Sequence, residues 1–419
     1  MIILCVLTLI INYKFCHCSA ADKQLIHVHI LYRHGDRAPI IIYPTDKNRE
    51  DKWPNGLGEL TNQGIKQHFD LGMWLRRRYN DFLGQYLNYS LIYVRSTDRD
   101  RALMSAESNL AGLFFNLSKE VINGLRWHPF PIQTQSKKYD ILLSGDSCPL
   151  FRTMQKNFYS KDYFRPKFQP YQETLEFLKR KTGLINLNFM DSWSIIDTIF
   201  CEKSNNLSID DWVTKEVWKN LTLINQLNWE VMNYGELPKL IAGYLMKRIT
   251  EYLSSFPSNN WYKNKGLKMV IYSGHDTDVA PISSLLGVND NNQPAYTSCI
   301  MIELYKLTNH SDKWGVQVIY KNFTDSSGPT EIPIAIIPGC DSTLCPLSKF
   351  LQLMEKKTMS KKEYNDLCYP KPNILFTIQI VFIALTVGLI LFIIVFSVFR
   401  FRRKPEHRYS RVESDANIN

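Results

Sequence analysis

The sequence predicts an α/β protein: a doubly wound mixed sheet flanked by helices, with a smaller, mainly helical inserted domain and a single C-terminal transmembrane helix. Three observations predict this arrangement. Short apolar runs typical of buried strands end in charged residues, residues 137–260 carry the apolar spacing of helices, and a long uncharged run lies close to the C-terminus.

The strand signals occur on both sides of the helical stretch. Three strand-like runs, 25–32, 91–94 and 268–273, are followed by the polar segments 33–37, 95–101 and 274–276. Two more strands are expected at 299–307 and 316–320, and helical spacing predicts helices at 64–82 and 102–115. Since α/β proteins bind ligands where strands end, the three polar segments are the candidate site.

The helical stretch interrupts the α/β pattern. Apolar residues recur at helical spacing at 175–184, 212–227 and 237–253, and strand-like runs are scarce there. We therefore expect the α/β domain to comprise 21–136 and 261–370, with 137–260 as a helical insertion.

Both ends of the chain are apolar. Residues 1–13 are almost wholly apolar, and small residues at 18–20 suit a signal-peptidase site, so residues 1–20 are predicted to be a cleaved signal peptide. The alternative, an N-terminal anchor helix, requires a longer apolar run, because a membrane span needs about 20 residues.

The uncharged run 374–399 is long enough to cross a bilayer. Four basic residues follow it: Arg400, Arg402, Arg403 and Lys404. The positive-inside rule places the tail 400–419 in the cytosol. We therefore expect a single-pass type I membrane protein in the lysosome or at the cell surface, with residues 21–373 on the lumenal side.

The formal net charge of +10 overstates the charge of the lumenal part. The tail contributes +3 and the signal peptide +1, which leaves +6 for the rest. This excess is mild and no basic stripe accompanies it, so a nucleic-acid partner is not expected, although a small anionic substrate is slightly favoured.

Cysteines and sequons fit a secretory compartment. Six of the nine cysteines lie outside the signal peptide, an even number that suits three disulfides better than a zinc site, since no paired CxxC occurs. Six Asn-x-Ser/Thr sequons predict glycosylation sites, not all of which need be used: Asn88, Asn116, Asn206, Asn220, Asn309 and Asn322.

The charged strand ends carry residues suited to phosphate chemistry. Arg33 and Arg37 flank His34, and guanidinium groups bind phosphate oxygens with paired, charge-assisted hydrogen bonds. A histidine in such a pocket attacks phosphorus through one ring nitrogen when a carbonyl holds the other N–H. Arg101 is a candidate third phosphate-binding arginine, although it could instead form a surface salt bridge with Asp98 or Asp100.

The third strand end adds a donor and an acid. His275 is a candidate phosphate ligand, and Asp276 is a candidate proton donor to the leaving oxygen, which predicts an acidic optimum. The alternative for these two residues is a structural role in capping a helix that begins near Thr277.

The motif Arg-His-Gly-x-Arg-x-Pro at 33–39, together with His275 and Asp276, resembles the histidine acid phosphatase family. Further similarity covers most of 25–370, with matching segments at 53–56, 95–98, 296–299 and 338–340. The resemblance implies that His34 is the nucleophile and Asp276 the proton donor. It also implies that phosphate is held by Arg33, Arg37, Arg101 and His275.

The resemblance carries further expectations. It implies the disulfides Cys148–Cys368, Cys201–Cys299 and Cys340–Cys345, and a homodimer. In the tail, Tyr409 and Val412 are spaced like the endocytic signal of lysosomal members of the family, although a solvated tail without a signal is the alternative.

Together these features predict a metal-independent acid phosphatase, without cofactors, that hydrolyses phosphate monoesters through a phosphohistidine. A narrower phosphatase, acting on inositol phosphates or a lysophospholipid, remains an alternative. A catalytically silent surface glycoprotein is a third possibility, but a silent protein would be free to lose the six site residues.

Overall fold

A computed structural model describes residues 23–85, 88–115, 128–258, 266–308, 311–324, 332–371 and 374–402. Several expectations lie outside these residues: the signal peptide 1–20, the sequons Asn116 and Asn309, and the sorting-signal residues Tyr409 and Val412. Residues up to Cys368 belong to one compact unit, and a second unit begins at Tyr369.

The predicted mixed sheet is confirmed. The described strands are β1 (Lys23–Arg33), β2 (Ile92–Ser96), β3 (Ile132–Gln133), β4 (Met269–Gly274), β5 (Cys299–Leu307), β6 (Trp314–Lys321), β7 (Ile334–Ala335) and β8 (Cys345–Pro346). Their order is β3-β2-β4-β1-β5-β6-β7, with β8 also paired to β6. Strands β3, β2, β4 and β1 are parallel, whereas β5 to β8 pair antiparallel. The three unpredicted strands have two residues each, too few to show a period.

The helices before the sixth strand are α1 (Asn62–Arg78), α2 (Asn80–Leu83), α3 (Asp100–Phe114), α4 (Pro149–Tyr159), α5 (Arg165–Phe168), α6 (Gln172–Thr182), α7 (Trp193–Ser204), α8 (Lys215–Met232), α9 (Leu237–Ser254) and α10 (Asp276–Leu286). The last three are α11 (Leu347–Glu355), α12 (Lys361–Cys368) and α13 (Ile374–Arg402). Each helix predicted by apolar spacing is present, although the one expected at 64–82 is divided at Tyr79 into α1 and α2.

Helices cover both faces of the sheet, as doubly wound folds require. Successive residues of a strand point to opposite faces. On β1, Leu31 therefore packs in the apolar cluster that includes Met246 of α9 and Val279 of α10. Its neighbour Tyr32 packs in the other cluster, beneath Trp74 of α1 and Leu110 of α3.

The helices between β3 and β4 have an apolar cluster of their own, which includes Ile195, Ile196 and Ile199 of α7. Helix α7 was not predicted individually. It is buried on several sides, including its polar residues Asp197 and Thr198, so its apolar residues mark no single face. The boundaries 137 and 260 of the insertion stay a prediction, because the contacts join everything up to Cys368 into one unit.

Two of the three expected disulfides are formed, Cys148–Cys368 and Cys340–Cys345. The expected Cys201–Cys299 pairing is wrong, because both cysteines are free and buried. The pleat of β5 directs Cys299 into the cluster beneath α1 and α3, whereas Cys201 packs with Ala38 and Trp53 in a separate small cluster.

The second unit contains the one candidate membrane span among the described residues. Residues Ile378–Arg400 of α13 have a mean hydropathy of 3.0 and form a helix long and apolar enough to cross a bilayer. This agrees with the predicted span at 374–399.

The four described sequons differ in their surroundings. Asn88 and Asn206 are exposed, which suits glycosylation. The amide of Asn220 donates to Thr174 Oγ1 at 3.1 Å, and that of Asn322 donates to Asp290 Oδ2 at 3.2 Å. Since a glycan is attached to this nitrogen, Asn88 and Asn206 are the better glycosylation candidates.

A buried pair of carboxyl groups joins the loop after β1 to α7. Glu202 is 1% exposed and Asp46 is 3% exposed, and Asn48 Nδ2 donates to Glu202 Oε1 at 2.6 Å. Burial, together with the nearby Asp46 carboxylate, raises the pKa of Glu202 to about 8. The folded protein therefore holds a proton here that an unfolded chain, with a glutamate pKa of about 4.3, releases.

This proton makes stability pH-dependent. The protonated Glu202 contributes to the free energy of unfolding. This contribution is complete below the unfolded pKa and is lost as the pH rises through the folded pKa of about 8.

We expect Glu202→Gln, which mimics the protonated form, to raise the melting temperature at pH 8 relative to wild type and to change it little at pH 4. Thermal melts from pH 4 to 8 measure this. Glu107→Gln, an exposed substitution on α3, is the control, and an equal gain at both pH values for Glu202→Gln would contradict the assignment.

Candidate active site

The site lies where the parallel strands β1, β2 and β4 end on the same edge of the sheet. Backbone bonds tie these ends together: the N–H of His34 donates to Gly274 O at 3.0 Å, and that of Thr97 donates to Ser273 O at 3.0 Å. The polar segments that follow the three strands are therefore brought to one place.

Close backbone packing holds the loop after β1 against the start of α1. A Cβ added at Gly35 would lie 2.4 Å from Gly64 O, and one added at Gly64 would lie 2.1 Å from Asp36 O. Both positions require glycine because the two backbones leave no room for a side chain. This contact orients the turn that carries His34.

The ring of His34 is held in one tautomer. Its Nδ1 lies 2.7 Å from Gly35 O, and since a carbonyl only accepts, Nδ1 carries the proton and Nε2 keeps its lone pair. Burial lowers the pKa of His34 well below its ordinary value, and the positive charges of Arg101 and Arg33 lower it further. The imidazole therefore stays neutral in acid.

Arg37 is fixed by a buried carboxylate. Asp197 of α7 accepts from both of its terminal nitrogens, at 2.9 and 2.8 Å, and Ala38 O accepts from Nη1 at 3.0 Å. Burial opposes the charge, but Asp197 outweighs it and holds the pKa of Arg37 above its ordinary value. The guanidinium is thus locked in orientation while its Nε has no hydrogen-bond partner among the described atoms.

Arg101, by contrast, has no carboxylate partner among the described residues. The expected alternative, a salt bridge with Asp98 or Asp100, is not formed, and Nη1 donates to Gly58 O at 3.3 Å. Burial and the charge of Arg37 lower the pKa of Arg101 to about 10, so it remains a cation at acid and neutral pH. Arg95, which begins the same segment, is instead paired with Asp140 at 2.6 Å.

His275 occupies the N-cap position of α10 and also lines the cavity, while its role as a phosphate ligand stays a prediction. Its Nε2 lies 2.9 Å from Thr97 Oγ1, and its backbone N–H donates to Asp278 Oδ2 at 2.8 Å. Burial lowers the pKa of His275 well below its ordinary value, with Arg101 adding to the effect, so the ring is neutral.

Asp276 is ion-paired behind the histidines. Arg33 Nη2 lies 2.9 Å from Asp276 Oδ2, and Gln293 Nε2 donates to the same oxygen at 2.9 Å. Burial raises the pKa of this carboxyl, but the Arg33 charge and the Gln293 bond outweigh burial and hold it below its ordinary value. Arg33 itself is 1% exposed, donates to Pro294 O and stacks over the Tyr296 ring.

These side chains surround a cavity of about 530 Å³. Five of the six expected site residues line it: His34, Arg37, Arg101, His275 and Asp276. Arg33 does not, and it reaches the site through its ion pair with Asp276. The wall formed by the helical segment is mixed. Its apolar and aromatic residues include Phe151, Trp193, Trp229 and Met232, and its polar and charged residues include Arg152, Asp191 and Asn225.

Sequence reasoning missed three residues that hold the site together: Thr97, Asp197 and Gln293. Each contacts a site residue that is distant in sequence, so no local spacing reveals it. Thr97 alone had a signal, since it lies in the polar segment after β2. Among the described residues, no group of three histidine, cysteine or acidic side chains is placed to hold a metal ion.

Comparisons with known proteins agree with this geometry. Residues 24–321 match the histidine phosphatase superfamily (branch 2). The chain is 36% identical to lysosomal acid phosphatase of Xenopus laevis over 90% of this chain and 86% of the relative. It is 34% identical to prostatic acid phosphatase of Bos taurus, over 79% of this chain and 85% of the relative.

Among solved structures, the apo form of Hafnia alvei phytase superimposes with a TM-score of 0.60 at 18% identity, covering 81% of this chain and 98% of the phytase. A likeness at this identity concerns the fold. The match over most of the chain, the motif at 33–39 and the site geometry agree, and the chain belongs to branch 2 of the histidine phosphatase superfamily.

Proposed function

We propose that the protein is an acid phosphatase that hydrolyses phosphate monoesters through a phosphohistidine formed on His34. The observation that carries this proposal is the bond from His34 Nδ1–H to Gly35 O, which leaves Nε2 free as the nucleophile. The acid phosphatase names of the relatives, at 33–36% identity, support the same activity.

In the first step, the Nε2 lone pair of His34 attacks phosphorus and the ester P–O bond breaks, with its electrons going to the leaving oxygen. Asp276 donates the proton that this oxygen takes up. In the second step, water attacks phosphorus, the P–N bond breaks, and Asp276 accepts the proton of the water. Arg37, Arg101 and His275 stabilise the charge on the non-bridging oxygens.

The bound anion changes the protonation of Asp276. In the free site the ion pair with Arg33 favours the charged carboxylate. A phosphate anion held by Arg37 and Arg101 beside Asp276 raises the pKa of the carboxyl, so that Asp276 takes up a proton at acid pH. The predicted contact of Arg33 with phosphate requires its ion pair with Asp276 to open, because Arg33 does not line the cavity. Burial and the three arginines oppose protonation of His34, which keeps its Nε2 lone pair available.

The cavity wall favours a substrate with one phosphate group. Beyond the phosphate pocket, three cationic side chains line the cavity, Arg99, Lys137 and Arg152, and four carboxylates outnumber them: Glu59, Asp98, Asp146 and Asp191. A polyphosphorylated inositol requires an excess of cations here, whereas apolar and aromatic groups suit an aryl or alkyl leaving group. The intact site also argues against a catalytically silent glycoprotein.

We further propose that residues 21–373 are lumenal and that α13 anchors the protein as a type I membrane protein. The apolar helix and the basic residues from Arg400 support this orientation. The lysosomal acid phosphatase relatives favour the lysosome as its location over the cell surface. The homodimer stays a prediction.

The central test is phosphate release from an aryl phosphate between pH 4 and 8. We expect the rate of phosphate release to be highest at about pH 5, because Asp276 must be protonated in the complex with substrate. We expect the rate to be unchanged in EDTA. His34→Ala is expected to abolish turnover. When the reaction with radiolabelled substrate is quenched in alkali, an acid-labile phosphate label is expected on the wild-type protein and not on His34→Ala. His128→Ala is the control, because His128 does not line the cavity. Loss of activity in EDTA, or a label retained by His34→Ala, contradicts the mechanism.

The role of Asp276 is tested by varying the leaving group. Asp276→Asn cannot donate the proton, so alkyl phosphates, whose leaving oxygen needs it, slow far more than p-nitrophenyl phosphate. Asp276 also acts in the second step, which every substrate shares, so the leaving-group effect is measured as kcat/KM, which reports only the first step. Across a series of leaving-group pKa values, kcat/KM should show a steeper dependence in the variant. An equal loss of kcat/KM for every substrate would show that Asp276 does not act as the acid.

Arg101 offers the cleanest test of phosphate binding, since it has no carboxylate partner in the described chain. Arg101→Gln is expected to raise KM and the inhibition constant of inorganic phosphate by roughly tenfold to a hundredfold, as losing charge-assisted hydrogen bonds does. Arg99→Gln, an exposed substitution at the cavity rim, is the matched control and should change both little. Similar effects of the two substitutions would place phosphate elsewhere.

A further inference from the structure

The start of α10 is closed by two bonds between His275 and Asp278. Asp278 Oδ2 accepts the backbone N–H of His275 at 2.8 Å, and the backbone N–H of Asp278 donates to the backbone O of His275 at 3.1 Å. An acidic side chain at the third helical position that accepts the backbone N–H of the N-cap residue is one half of a capping box. Asp278 therefore fixes the backbone of His275 at the start of the helix.

The backbone of His275 in turn places its ring. The ring nitrogen Nε2 lies 2.9 Å from Thr97 Oγ1, and the residue lines the cavity. A displaced first turn of α10 would move the ring away from Thr97 and from the cavity. The position of Asp278 thus decides where the His275 ring lies.

Gly274, the last residue of β4, leaves the space that the Asp278 carboxyl occupies. A Cβ at position 274 would lie 2.6 Å from Asp278 Oδ2 and 3.2 Å from its Cγ. The φ of Gly274 is not in the left-handed region, so the backbone conformation does not demand glycine there. The three nearest atoms that such a Cβ would meet all belong to Asp278, with its own Cβ at 3.3 Å, and the shortest contact is with the carboxyl group.

The charged groups around this carboxyl are acidic. Asp276 lies on the same helix, and Asp140 and Asp146 face it from the segment before α4. Asp278 is 4% exposed, and burial, with these neighbours adding to it, raises its pKa well above the ordinary value. A protonated carboxyl still accepts a hydrogen bond through its carbonyl oxygen, so asparagine is a close substitute in shape and acceptor.

We propose that Asp278 is a positioning residue for His275, and that Gly274 and Asp278 act as one unit that holds the His275 ring at the phosphate pocket. The unit also borders the nucleophile, since Gly274 O accepts the His34 N–H at 3.0 Å. This inference rests on the proposed phosphatase activity.

The test is a double-mutant cycle with an aryl phosphate, measuring kcat, KM and the inhibition constant of inorganic phosphate. Asp278→Ala is expected to lower kcat/KM by about tenfold or more, as losing a group that orients a catalytic histidine does, and Asp278→Asn to restore most of it. Gly274→Ala alone also lowers kcat/KM, because its methyl group displaces the carboxyl. In the double variant Gly274→Ala/Asp278→Ala the clashes with Oδ2 and Cγ are gone and one tight contact remains, 3.3 Å to the Cβ of residue 278, so the double variant is expected to be little worse than Asp278→Ala.

Folding is followed by thermal melts, and Thr214→Ala, which removes the cap of α8, is the control for a lost cap that lies outside the site. It should lower the melting temperature without changing kcat/KM of the folded enzyme. Independent, multiplying effects of Gly274→Ala and Asp278→Ala would overturn the inference, as would an Asp278→Asn variant as impaired as Asp278→Ala. A wild-type protein that releases no phosphate would instead refute the proposed function.

Discussion

The parallel pairing of β1 and β2 with the central strand β4 is the constraint on which the site depends. Parallel strands end at one edge of a sheet, so the residues after each strand meet even though their positions span 240 residues of sequence. The bonds from His34 N to Gly274 O and from Thr97 N to Ser273 O extend this pairing beyond the strands. Apolar packing on both faces keeps the pairing in register.

On this frame, the three arginines of the site are distinguished by their partners. Arg37 is locked by Asp197, Arg33 is paired with Asp276, and Arg101 has no carboxylate partner in the described chain. All three lie close to His34, and Arg101 and Arg33 lower its pKa most after burial. Charge is therefore arranged so that the nucleophile stays neutral while the pocket stays positive, which a monoester anion requires.

Much of the fold follows from local pattern. The strands at 25–32 and 299–307 were predictable because their apolar runs are continuous and end at charged residues, and α8 and α9 show clear helical spacing. Helix α7 was not predictable, because it is buried on several sides and its apolar residues therefore show no helical period. The strands β3, β7 and β8 were not predictable because two residues are too few to show an alternation. The Cys201–Cys299 pairing failed because the pleat of β5 directs Cys299 to the opposite environment.

The sequence by itself determined the chemistry: a histidine between two arginines, a second histidine next to an aspartate, and an apolar C-terminal run. These are local features, and residue type and spacing are enough to recognise them. Only the tertiary structure decided how the groups are used. The partners of Arg37, Asp276 and His275 are Asp197, Gln293 and Thr97, each distant in sequence, and hydrogen bonds to distant residues leave no periodic trace in a chain. The tautomer of His34 follows from a bond to the neighbouring Gly35 O, but the lowered pKa of both histidines comes from burial, which arises only when the strands have paired and the helices have packed on them.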